Sequence, residues 1–127
     1  MGCDIHCVRE VKTEGHWLGK EVAIPRWHQL FGLMAGVRSS SVDPIKHCRG
    51  MPNDASTCFR LLLNDYGKDA HSTSYLTRKE VLEAYHDRQQ TDPNSMEYEE
   101  AFQALIGYLS PEYPQNDGIR VCFFFDS

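Results

Sequence analysis

The chain closes on a nearly unbroken apolar run, Ile119-Arg120-Val121-Cys122-Phe123-Phe124-Phe125-Asp126. Such a run, with no alternation, predicts a strand buried on both faces and central in its sheet. Residues 3–12 alternate instead, with Cys3, Ile5 and Cys7 on one face and Asp4 and His6 on the other, as a strand requires. Thr13-Glu14-Gly15 reads as a turn, and residues 16–24 as a second, antiparallel strand ended by Pro25. The period then becomes helical. Trp27, Leu30, Phe31 and Met34 mark a first helix ending near Gly36, after which residues 38–56 form a long loop. Ser56 caps a second helix carrying Phe59, Leu62, Leu63 and Tyr66, with Gly67 as its stop. A third carries Val81, Leu82 and Tyr85 and fades around Gln89-Gln90. The turn Asp92-Pro93-Asn94-Ser95 caps a fourth, with Tyr98, Phe102, Leu105 and Leu109, which stops before Pro111; residues 111–118 are loop.

The order β-β-α-α-α-α-β predicts an α+β fold in a single domain, residues 1–127. Its small antiparallel sheet pairs the N-terminal strands with the C-terminal strand, and about four helices cover it. Pairing last strand to first would bring Asp4 and His6 near Arg120 or Asp126.

Before the third helix lies a polar stretch, Asp69-Ala70-His71-Ser72-Thr73-Ser74-Tyr75-Leu76, read as a loop. Thr77 and Glu80 make a capping box, with Leu76 and Val81 as its hydrophobic staple. The stretch is thereby held against a helix N-terminus, whose free N–H groups and partial positive charge attract anions, phosphate above all.

Charge alters the picture. The net charge of −5 divides unevenly: residues 1–60 hold 8 Lys/Arg against 6 Asp/Glu, residues 61–127 hold 5 against 12. This balance argues against duplex nucleic acid as a partner. A local basic island (Arg26, Arg38, Lys46, His47, Arg49) still suits a small phosphorylated ligand. Cys3, Cys7, Cys48, Cys58 and Cys122 include no Cys-x-x-Cys pair and read as reduced thiols. No apolar run is long enough to span a bilayer, and His6 stands where a myristoylation signal wants Ser or Thr. The expectation is a soluble, intracellular protein with no membrane association.

Several segments carry a resemblance. They are Met1-Gly2-Cys3-Asp4-Ile5-His6, Leu30-Phe31, Gly36-Val37-Arg38, Pro44-Ile45, Arg49-Gly50-Met51-Pro52 with Asp54, residues 69–77, and Phe123-Phe124-Phe125-Asp126. On these the chain resembles a family of small proteins encoded by phages and by bacteria carrying phage-like genes. Tyr75 and Phe124 depart from that pattern, which has tryptophan at both places; an aromatic ring is kept. The resemblance implies a viral origin, a place in the host cytoplasm, and action against a host antiviral defence, and it assigns no catalytic residue.

Three functions compete. In the first, the protein binds a small phosphorylated or nucleotide-type ligand and sequesters a defence signal. Arg38, Arg49, His71, Ser72, Ser74 and Tyr75 contact the ligand, while Asp4, His6, Asp69 and Asp126 hold them in place. The second is a metal-dependent phosphoesterase. Asp-x-His occurs twice, and Asp4 and His6, joined by Asp69 and His71, offer a ligand set for a divalent metal. The third is a protein-binding inhibitor of host machinery acting through Glu83, Asp87, Glu97, Glu99 and Glu100. A Ser72 or Ser74 nucleophile with His71 lacks the Gly-x-Ser-x-Gly elbow. Whether the chain is an enzyme is left open by these residues, as is assembly into a homo-oligomer.

Overall fold

The computed structural model describes residues 3–37, 43–91, 98–110 and 118–126. Four antiparallel strands, β1 (Asp4–Thr13), β2 (His16–Val22), β3 (His71–Thr77) and β4 (Ile119–Asp126), form one sheet in the order β2-β1-β4-β3. The α+β architecture is as the pattern predicts, and the C-terminal strand pairs with the N-terminal one, Asp4 opposite Asp126 and Val11 opposite Ile119.

β4 takes an interior place because it has no polar face. Ile119, Val121, Phe123 and Phe125 enter the larger core, beneath α1 (His28–Ala35), α3 (Arg78–Thr91) and α4 (Glu99–Tyr108). Cys122 and Phe124 point to the opposite face, where α2 (Thr57–Tyr66) packs through Phe59. β1 divides its residues in the same way, with Ile5 and Cys7 in the first core, beside Cys3 just before the strand, and Val8 in the second. The sheet therefore lies between one helix and three.

The caps form where the sequence places them. Ser56 Oγ accepts from the Phe59 N–H at 3.2 Å, and Gly36 closes α1 in the left-handed region at φ 72°. Thr77 and Glu80 bond reciprocally, Glu80 N–H to Thr77 Oγ1 at 3.1 Å and Thr77 N–H to Glu80 Oε1 at 3.0 Å. The staple residues Leu76 and Val81 are both fully buried. The turn read at residues 92–95 lies outside the described residues.

One reading needs correction. The stretch before α3 is a single 3₁₀ turn (Gly67–Asp69) followed by β3, so most of the expected loop is a strand. Its hydroxyls obscured an alternation of Tyr75 and Thr77 against Ser74 and Leu76, which pairing with β4 makes decisive. The second strand also ends at Val22, two residues earlier than expected.

Candidate functional site

β1 and β3 both begin where β4 finishes. Asp4 is registered with Asp126, His6 with Phe124 and His71 with Phe125, so both Asp-x-His stretches reach the same end of the sheet, but His6 lies on the face of Phe124 and His71 on the opposite face with Phe125. His6 Nε2 lies 2.6 Å from Asp126 Oδ2, both side chains about a quarter exposed (21% and 25%). The imidazole packs on Tyr66 and Phe124, with centroids at 4.1 and 5.1 Å. Asp4 accepts from Arg26 Nε at 2.6 Å, a hydrogen bond that holds its carboxyl below the usual range.

On the far side of β4, the ladder is irregular between His71 and Ser74. Ser72 sits there at φ 55°, a left-handed conformation that serine adopts only at some cost. His71 Nδ1 is 3.1 Å from Ser72 Oγ, and the His71 ring stacks on Phe125 with centroids 6.2 Å apart. Nearby, Cys48 Sγ donates to the Ala35 carbonyl at 3.8 Å, and burial pushes its thiol upward in pKa, away from nucleophilic thiolate character.

Cys48 belongs to the long loop, which is tied to the outer edge of β3. Gly50 N–H donates to Thr73 O at 2.8 Å, and Arg49 N–H to the buried Ser74 Oγ at 3.1 Å. The Arg49 guanidinium lies 4.0 Å above the Tyr75 ring, bonds the Tyr75 carbonyl, and grips both Glu80 oxygens at 2.8 Å. Burial alone would raise the Glu80 pKa, but Arg49 and the Thr77 N–H and hydroxyl lower it below the ordinary value. Arg49 thus fastens loop to strand and covers an otherwise open sheet edge, with exposed Lys46 and His47 just before it.

Beside His6 is a cavity of about 370 Å³, opened where β2 leaves the sheet after Val22. His6, Glu21, Val22, Ala23, Ile24 and Leu62 line it. On that side no described strand pairs with residues 4–6 of β1.

A second polar cluster escaped the sequence reading. Glu10 and Arg120, opposite each other in β1 and β4, are 0% and 4% exposed. Arg120 Nε donates to Glu10 Oε1 at 2.5 Å and Nη1 to Asp54 Oδ1 at 3.0 Å, while its guanidinium lies 3.8 Å from the Trp17 ring. Ser56 N–H donates to Glu10 Oε2 at 2.7 Å. Burial opposes Glu10 ionisation, yet the bonds from Ser56, Cys122 and Arg120 prevail and lower its pKa. The signal was Arg120 itself: a charge inside a strand buried on both faces needs a buried partner.

Of the predicted ligand residues, Arg49, Ser74 and Tyr75 meet one another, and His71 meets Ser72. Arg38 lies outside the described residues. Asp126 holds His6 as expected for a support; Asp69 ends the 3₁₀ turn two residues before His71. Asp4 and His6 engage different partners, and among the described residues no group of three His, Cys, Asp or Glu side chains converges to hold a metal ion. No described helix is long and apolar enough to cross a membrane. No family model, curated protein or solved structure matches the chain.

Proposed function

We propose that the protein captures a small phosphorylated, nucleotide-type ligand at the sheet end formed by β1, β4 and β3, and by doing so sequesters a host antiviral signal. The observation that carries the reading is the bulge at Ser72. There a strained, non-glycine residue holds its hydroxyl beside an imidazole at the strand edge, with Lys46 and His47 in the loop fastened alongside. A hydroxyl and an imidazole together at the strand edge, with two basic residues in the adjoining loop, suit a phosphate better than a neutral ligand. Arg49, saturated by Glu80, positions the loop and leaves ligand contact to its neighbours. The phage resemblance supplies the biological setting.

The test is titration calorimetry with a panel of linear and cyclic nucleotides, repeated on His71→Ala. One nucleotide class binds the wild-type protein, and the variant, folded by circular dichroism, loses roughly tenfold or more in affinity. Equal affinity in the two proteins overturns the assignment.

Asp4, His6 and Asp126 share one face of the sheet end, which favours one alternative, a metal-dependent phosphoesterase, with His71 on the opposite face and outside its ligand set. It requires the Arg26–Asp4 and His6–Asp126 pairs to open around a divalent ion. Stoichiometric metal in the purified protein, with chelator-sensitive phosphate release, selects it over capture.

A further inference from the structure

We infer that the cavity beside His6 takes the planar base of the nucleotide-type ligand, an inference that rests on the capture reading. Its volume of about 370 Å³ falls within the range of small-ligand sites. Its lining is polar and apolar in nearly equal measure: Val22, Ala23, Ile24 and Leu62 offer apolar contact to a flat heterocycle, and His6 and Glu21 supply orientation. His6 is held in place from two directions, by the Asp126 carboxylate and by the Tyr66 and Phe124 rings. A ligand therefore meets a preorganised imidazole and loses little entropy in fixing it.

The open edge of β1 adds a second kind of recognition. Because β2 departs after Val22, residues 4–6 present strand backbone to this side with no described strand opposite. A strand edge offers alternating N–H donors and C=O acceptors, the complement of the donor and acceptor pair on the edge of a base.

Charge sets the polarity of the ligand. Glu21 lines the slot and the Asp126 carboxylate sits against His6, so an anion is unwelcome inside it. Phosphate is favoured on the other face of the sheet end, at the rim beside Ser72 and His71. β1 and β3 are separated by β4 alone, two strand spacings or about 10 Å, but His6 shares the face of Phe124 and His71 that of Phe125, and those rings enter opposite cores. Base and phosphate of one ligand would therefore lie on the two faces of the sheet end and be joined around Asp126.

The experiment measures the affinity of the four common ribonucleosides, uncharged probes without phosphate, for the full chain in EDTA, beside the matching nucleotides. One nucleoside is expected to bind on its own. Ala23→Trp, at an exposed position that tolerates bulk, fills the slot and weakens that binding by roughly tenfold or more. His6→Phe keeps the ring stack but removes the nitrogens, with a loss of about tenfold. Leu18→Ala, on an exposed side chain away from the slot, leaves affinity unchanged. Undiminished nucleoside binding by Ala23→Trp overturns the inference, as does a nucleotide that binds when no nucleoside does. In the latter case capture at the rim survives without the slot. A nucleoside that binds while its nucleotide gains nothing keeps the slot and removes the rim, and silence from every nucleoside and nucleotide removes both.

Discussion

Glu10 shows how a single buried carboxylate governs part of this fold. It faces Arg120 across two central strands and takes the Ser56 N–H, so it ties β1, β4 and the N-terminus of α2 together. Removing one partner of a buried pair leaves a buried charge uncompensated, at a cost of about 3–5 kcal/mol. Glu10→Gln should therefore lower the melting temperature by more than 10 °C, on the scale of several degrees per kcal/mol for a chain of this length. Because the folded-state pKa of Glu10 is depressed, its stabilisation is present above its unfolded value of 4.5 and is lost as pH falls through the lower folded value. Acid unfolding followed by circular dichroism should show a steeper loss below pH 4.5 in the wild type than in Glu10→Gln. Ser72 presents the opposite balance. Glycine accepts φ 55° without strain, so Ser72→Gly should stabilise the fold by about 1 kcal/mol in chemical denaturation while weakening ligand capture. A destabilised variant would show that the serine side chain matters more to the fold than its backbone strain does.

Among the elements, α2 approaches β2 closely at Gly19. A Cβ on Gly19 would come within 2.4 Å of Ser56 Oγ and 2.7 Å of Val8 Cγ1. Ser56 is the N-cap of α2, so Gly19→Ala must move the cap or the strand. We expect a loss of about 1–3 kcal/mol, read by denaturant midpoint, and an unchanged midpoint would show that the join is loose. What could be read from sequence follows the same division. β4, the caps at Ser56 and Thr77, and the helical stripes are local patterns, and each forms where its residues indicate. β3 was not legible as a strand, because Ser72, Thr73 and Ser74 look like loop until β4 supplies their partners. The Glu10–Arg120 pair joins residues 110 positions apart, a relation set by register that neither residue's neighbours reveal. The His6–Asp126 contact could be anticipated only because the pairing of first strand with last was itself legible.

At the scale of the whole molecule, the helix layers bury both faces of β4, while function is assigned to the end of the sheet where three strands terminate. That division leaves the core intact when ligand contacts change, so binding and stability should respond to different substitutions. It also means that a ligand bound only by the native state stabilises the entire cooperative unit. At a hundredfold excess over Kd that stabilisation is about 2.7 kcal/mol. The decisive measurement is the melting temperature of the purified protein in EDTA across a panel of linear and cyclic nucleotides. One nucleotide class should raise it by several degrees, increasing with ligand concentration and without any added metal. No shift from any nucleotide, with divalent metal either absent or restored, would contradict the capture of a nucleotide-type ligand.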